Sequence, residues 1–175
     1  MATASHEAAL YVLAAPYETV AAASADCEAI DAVHREGVPA RPADVLVLER
    51  DDFGQVLLPD GCEVRLGLAL GVAASLFPAI GVGAALSLGT GGGAAVGALV
   101  GYVHADIAPE ELRQLAEMLD AAGAGLIAVY DEPLAAAVES AVSSPSTSII
   151  RASSVDVDRL LREAGSVTDP ALTKR

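Results

Sequence analysis

One stretch of the sequence could cradle a phosphate group. Gly89, Gly91 and Ala94 match G-x-G-x-x-A, a dinucleotide fingerprint in which glycines let a helix N-terminus approach a pyrophosphate. That fingerprint also needs a following strand that ends in an acidic residue about 20 positions on, to bind the ribose. Instead, the chain continues into HADIAPEELRQL, which predicts the start of a helix. The context therefore argues against a nucleotide site.

Acidic and histidine side chains are the next candidates for chemistry. Asp51, Asp52 and Asp60 lie close together and could attract a cation, although this spacing is more typical of a solvated turn. His104 stands near Asp106 at the end of an apolar stretch, which predicts a solvated side chain, with a pH-sensitive contact as the alternative. No P-loop, HExxH, CxxC, GxSxG or EF-hand pattern is present. We therefore expect no catalytic residue, no metal and no cofactor, and interpret the protein as a non-enzyme.

Glycine has the most regular spacing in the sequence. Six glycines recur at intervals of four in two runs: Gly67 and Gly71, then Gly89, Gly93, Gly97 and Gly101. On a helix this spacing makes a groove without side chains, against which another helix packs at close backbone range. Dispersion and CαH···O contacts in the groove offset the roughly 1 kcal/mol by which Gly is a poorer helix former than Ala. We therefore predict that these glycines are helix-packing and oligomerisation residues.

These glycines belong to a segment without charge. Between Arg65 and Asp106 there is no Asp, Glu, Lys or Arg, and ten of the 16 glycines lie there. The stretch 66–103 exceeds the roughly 20 residues needed to cross a bilayer once and nearly suffices for two crossings. Because both ends join the same body, we predict an apolar helical hairpin. Its turn is expected at one of three residues: Pro78, Gly81 and Gly83. A Gly/Ala linker is the alternative, and the four-residue period opposes it.

Charge and composition exclude several partners. A net charge of −14 with only ten Lys and Arg argues against binding nucleic acid or anionic lipid through a basic patch. The first 18 residues lack the positive region of a secretory signal. We expect the protein on the cytoplasmic side of the cell membrane, or in the cytoplasm as a soluble assembly. Cys27 and Cys62 are interpreted as buried thiols, with a disulfide as the alternative.

The rest of the chain alternates between strand and helix patterns. Strands are predicted at 8–15, 43–52, 55–61, 125–132 and 147–153, and helices at 17–36, 108–123, 133–144 and 155–165. The first six of these elements have the order βαββαβ, which is ferredoxin-like, and an αβα unit is appended. We predict an α+β fold with helices on one face of an antiparallel sheet. Its parts are a body (1–60 and 106–165), the inserted hairpin (61–105) and a flexible tail (166–175).

A known family has a similar pattern. A strand, a helix and a hairpin lead into an apolar run rich in GxxxG with a proline midway, and an acidic helix follows. The stretches are RDDFGQVLL, LFPAIGVGAALSLGTGGGAAVGALVGYVHADIAPEELRQLAEML, GAGLIAVYDE and TSIIRASSVDVDRLLREA. In these features the chain, over about residues 8–165, resembles the bacterial family called domain of unknown function 1269. The resemblance implies a ferredoxin-like body with a glycine-zipper hairpin, often membrane-associated, and no established reaction. The glycine cluster at 91–93 and the short first arm, 66–77, depart from that pattern.

Three functions fit these features. In the first, the chain is a self-associating protein whose hairpin inserts in, or lies against, the cytoplasmic membrane. In the second, it is a soluble homo-oligomeric ring, shell or filament whose hairpins bury one another. In both, the partner is a second copy of the chain, and the lipid bilayer is a further partner in the first. The third, a small-ligand-binding regulatory module, rests on fold analogy.

Overall fold

The apolar runs of the sequence form the strands of one sheet. A computed structural model gives the structure of residues 7–36, 43–59, 67–80, 97, 98, 100–156, 159 and 162. Within these ranges the strands are β1 (Glu7–Tyr17), β2 (Ala43–Arg50), β3 (Val56–Leu57), β4 (Ala124–Asp131) and β5 (Ser148–Asp156). The returning strand predicted at 55–61 is thus reduced to two residues.

All neighbouring strands are antiparallel, in the order β3-β2-β4-β1-β5. It follows that β1 and β2 run in the same direction on either side of β4, and that β4 and β5 do so on either side of β1. All eight residues of β4 are buried, as its uninterrupted apolar sequence predicts for a central strand. The predicted α+β class is confirmed.

The helices follow the predicted pattern closely. They are α1 (Val20–Glu36), α2 (Leu68–Leu76), α3 (Pro109–Asp120) and α4 (Ala135–Ala141), which a 3₁₀ turn (Glu132–Leu134) precedes. Residues 100–106 are also helical. Pro109 occupies the first turn of α3, where its missing N–H costs no hydrogen bond. Most of the helix predicted at 155–165 lies outside the described residues, and residues 155 and 156 belong to β5.

Helices cover both faces of the sheet, so the expectation that they cover one face is wrong. α1 and α4 pack on the face that carries Leu13, Val45 and Leu126. α2 and α3 pack on the opposite face, which carries Val12, Leu48 and Ile127. The reason lies in the strands, whose residues are apolar on both sides of the sheet. Leaving either face exposed to water would therefore cost free energy. The charge-free segment supplies part of the second layer.

β1 continues through Pro16, where the sequence predicts its end. Pro16 pairs with Gly125 of β4, whereas the pairing of β1 with β5 begins only at Ala14 and Ser148. At Pro16, β1 therefore has a strand on one side only. A missing N–H is tolerated at such an edge.

The turn between α3 and β4 brings two backbones into close contact. A Cβ atom built on Gly123 would lie 2.6 Å from the carbonyl oxygen of Glu18, and one built on Gly125 would lie 2.8 Å from Cδ2 of Leu119. Gly123 therefore has no room for a side chain, whereas at Gly125 the end of the Leu119 side chain would have to shift. The amide of Arg50 donates to the carbonyl of Gly123 (3.1 Å), which ties the end of β2 to this turn.

Candidate functional site

The first arm of the charge-free segment, residues 67–80, lies on the protein's own sheet. Eight of the nine residues of α2 are buried, and the helix packs against β2, β4 and α3. Its sequence, LALGVAASL, is apolar on every side. A helix of this kind has no face suited to water, and here the sheet lies on one side of it and α3 on another.

The two predicted packing glycines of this arm have different environments. Gly67 is the N-cap of α2 and has a φ of 80°, in the left-handed region that glycine adopts without strain. Gly71 is buried one turn further on, inside the fold of its own chain. Only Gly71 therefore lies within the helix.

The arm ends where the sequence predicts a turn. Phe77 is extended, with φ −129° and ψ 90°, and residues 78–80 form a further short helical turn beginning at the exposed Pro78. Ile80 is buried and returns the chain to the core. The other predicted turn residues, Gly81 and Gly83, lie outside the described residues. So do Gly89, Gly93 and the whole G-x-G-x-x-A stretch.

In the second arm, residues 97–106, three half-buried side chains contact the core. Residues 97, 98 and 100–106 are helical, and Val100, Tyr102 and Val103 pack against the core beside α2 and α3. Gly97 and Gly101 are exposed. A Cβ built on either glycine has no heavy atom of the described residues within 4 Å. Ala105 follows at the same spacing and is also exposed. We call Gly97, Gly101 and Ala105 the outer glycine face.

The titratable candidates that the structure describes lie at two separate places, the end of the second arm and the β2–β3 turn. His104 and Asp106 are both exposed at the end of the second arm. Asp51 has a structural role, since its Oδ1 accepts hydrogen bonds from the amides of Phe53 (2.9 Å) and Gln55 (2.8 Å) and so shapes the β2–β3 turn. Asp60 and Cys62 lie outside the described residues. Within the described part of the chain no group of His, Cys, Asp and Glu has the arrangement of a metal site.

A polar cluster that the sequence did not predict lies at the end of the sheet. Asp26 is 8% exposed, although the helical pattern predicts it away from the apolar stripe of α1. One of its oxygens, Oδ2, accepts three hydrogen bonds: from the Tyr17 hydroxyl (2.5 Å), and from the Ser143 amide (2.7 Å) and hydroxyl (2.8 Å). Its spacing of three or four residues from the buried Ala23 and Ile30 is the signal that could have revealed it.

These contacts set the protonation of the cluster. Burial raises the pKa of Asp26, but the hydrogen bonds from Tyr17 and Ser143 outweigh it and hold that pKa below its usual value. Burial, followed by the neighbouring Asp26 carboxylate, raises the pKa of the Tyr17 hydroxyl. The cluster ties β1, α1 and the α4–β5 loop together.

A cleft of about 550 Å³ opens beside this cluster. Its walls are the start of α1, the α3–β4 turn and the α4–β5 loop, with Tyr17, Gly123 and Ser146 among the lining residues. The Ser144 hydroxyl donates to the carbonyl of Pro16 (2.8 Å) and so joins the α4–β5 loop to the end of β1. The cleft has the volume to hold a small molecule.

The chain was compared with protein-family models, with curated proteins and with solved structures, and no match was found. The resemblance to domain of unknown function 1269 therefore stays a prediction. Among the described residues, no helix is sufficiently long and apolar to cross a membrane.

Proposed function

We propose that the chain is a non-enzymatic, self-associating protein that assembles through its outer glycine face. The observation that supports this is the orientation of the second arm, whose valines and tyrosine face the core while Gly97 and Gly101 face outward. An exposed helical glycine weakens its helix by about 1 kcal/mol relative to alanine. Close approach of a second helix is a physical reason to retain two of them at a spacing of four.

Charge supports the same surface. The protein carries a net charge of −14, which makes two copies repel one another over most approaches. Gly97, Gly101 and Ala105 themselves add no charge to that contact, because they lie in the charge-free segment. The partner in this proposal is a second copy of the chain.

The burial of the first arm favours assembly over insertion in lipid. Because α2 is enclosed by its own sheet and by α3, insertion would first have to expose that face of the sheet to water. Assembly through the second arm needs no such rearrangement. We therefore place the homo-oligomer first and membrane association second.

Replacing Gly101 with leucine tests the proposal. The added side chain would fill the groove and separate the helices, so the variant should sediment as a monomer where the wild type forms a larger particle. Sedimentation velocity with and without a mild detergent separates the two forms of association. A detergent-free particle supports assembly, whereas a species that is monodisperse only in detergent supports membrane association.

The ferredoxin-like unit predicted from the first six elements is wrong in its choice of strands, because β3 lies at the edge beside β2 and not beside β1. We propose that a ferredoxin-like arrangement is instead formed by other elements of the sheet. The units β1-α1-β2 and β4-α4-β5 interleave, which gives those four strands the order expected of a split βαβ pair. In this interpretation β3, both arms and α3 form one insertion, and they cover the face that two helices would otherwise leave open. An experimental structure that gave another strand order would refute it.

A ligand-binding module is the second candidate, and the cleft of about 550 Å³ is the observation that favours it. A thermal-shift screen with amino acids and nucleotides tests this candidate, and Ala22→Trp, which fills the cleft, is the control. A compound that stabilises the wild type and not the variant would support binding there. A compound that stabilises both proteins equally would refute it.

A further inference from the structure

The face of the sheet beneath the first arm contains a buried carboxylate. Asp44 lies on β2, is 3% exposed, and belongs to the same face as Leu46 and Leu48. A buried carboxylate is costly unless hydrogen bonds replace its lost hydration. The bonds of Asp44 therefore indicate what it does in the fold.

Asp44 caps the N-terminus of α2, where it accepts a hydrogen bond from an amide 25 residues later in the chain. Its Oδ2 accepts a hydrogen bond from the amide of Ala69 (3.0 Å), the second residue of α2, and its Oδ1 accepts one from the amide of Val45 (3.0 Å). The N-cap residue itself, Gly67, has no side chain with which to bond these amides. A carboxylate at this place also suits the helix, because negative charge is stabilised at the positive end of the helix dipole.

The remaining contacts of α2 with the sheet are apolar. Ser75 has the only polar side chain of the helix, and its hydroxyl donates to the helix's own Gly71 carbonyl (2.8 Å). Apolar contacts hold a helix on a sheet but are non-directional, so they do not fix its position along the sheet. The bond from Ala69 to Asp44 is directional and sets where α2 begins.

We propose that Asp44 acts as a latch, by which we mean that its hydrogen bond with the Ala69 amide fixes the position of the first arm on the sheet. Through the first arm, Asp44 also positions the second arm and its outer glycine face. Val100, Tyr102 and Val103 pack against the core to which α2 contributes seven buried residues, so a shift of α2 removes part of their support. The latch stands on the hydrogen bonds of Asp44. Its effect on assembly rests on the proposed function.

Amide hydrogen exchange on the full-length protein tests the latch. We compare wild type, Asp44→Asn, Asp44→Ala and the control Asp26→Asn, which alters a second buried carboxylate on the opposite side of the sheet. In Asp44→Ala the amides of residues 70–75 should exchange at least tenfold faster, while those of Leu126–Val129 in β4 change less. In Asp44→Asn, whose side-chain oxygen can still accept from the Ala69 amide, α2 should exchange at nearly the wild-type rate. In Asp26→Asn the ratio between the two groups should stay as in the wild type. If Asp44→Ala does not fold, Asp44→Leu, which has no acceptor either, decides.

Two results would overturn the latch. Either α2 and β4 accelerate by the same factor in the variant without an acceptor, or the exchange of α2 does not change in it. Sedimentation of the same samples then tests the link to assembly. Faster exchange in α2 with unchanged association would refute the positioning of the outer glycine face. A wild type that is monomeric throughout would refute the proposed function, while the exchange rates would still decide the latch.

Discussion

Substitutions at Gly101 should change monomer stability and self-association in opposite directions. Gly101 is exposed in a helical stretch, and a Cβ atom there has no heavy atom of the described residues within 4 Å. Gly101→Ala therefore gains helix propensity without a clash, which is worth about 1 kcal/mol. Gly101→Leu should gain nearly as much, because leucine ranks just below alanine. For a protein of this length, about 1 kcal/mol corresponds to a rise in Tm of about 2 to 4 °C.

Association should respond in the opposite sense. A leucine side chain fills the groove between two packed helices and forces their axes apart, so the close backbone contacts are lost. Gly101→Leu should therefore be more stable to urea as a dilute monomer and fail to assemble at high concentration. General destabilisation cannot produce this combination. Urea denaturation followed by circular dichroism gives the first quantity, and sedimentation velocity gives the second.

The control is Ala137→Leu, which adds the same kind of side chain to an exposed position of α4, on the opposite side of the sheet. It should leave association unchanged. The reasoning fails if Gly101→Leu assembles as the wild type does. It also fails if Gly101→Leu lowers the stability of the monomer, since the groove would then be occupied by the chain's own residues.

Other substitutions test the packing around the sheet. Asp26→Asn should lower the free energy of unfolding by about 1.5 to 3 kcal/mol at pH 7, because hydrogen bonds to a charged acceptor are lost. Since the pKa of Asp26 is lowered in the folded protein, its contribution is present above the ordinary Asp pKa of about 4 and disappears as the pH falls through the lower, folded value. The difference between variant and wild type in urea titrations should therefore shrink as the pH is lowered below about 4. Gly123→Ala should lower the urea midpoint, with a cost of about 1 to 3 kcal/mol, because its Cβ would lie 2.6 Å from a backbone oxygen of Glu18; an unchanged midpoint would refute the close contact. Leu115→Ala should lower the free energy of unfolding by about 2 to 5 kcal/mol in the same measurement, since Leu115 of α3 is 1% exposed in the hydrophobic core. A loss under about 1 kcal/mol would show that α3 does not pack on the sheet.

Local patterns predicted most of the elements, because each rests on a short-range physical rule. The apolar stripe of α3, the proline at its start and the unbroken apolar run of β4 all depend on residues near in sequence. The same rules failed at Pro16, where the outcome depends on how far β5 extends along β1. That is a property of strand pairing, which no single run of residues encodes.

Two of the buried carboxylates, Asp26 and Asp44, show why the site was harder to predict. Asp26 bonds Ser143, and Asp44 bonds Ala69, across separations of 117 and 25 residues. Each pairing becomes visible only when the fold brings its partners together. The packing of α2 on the protein's own sheet was not predicted, for a related reason. A helix that is apolar on all sides fits lipid, a second copy and its own sheet equally well.

The most direct test of self-association is the sedimentation of the wild-type protein in detergent-free buffer over a wide range of concentrations. The single chain has a mass of 17.6 kDa. The account predicts a discrete heavier species whose fraction grows with concentration and disappears in Gly101→Leu. A single 17.6 kDa species at every concentration would contradict it.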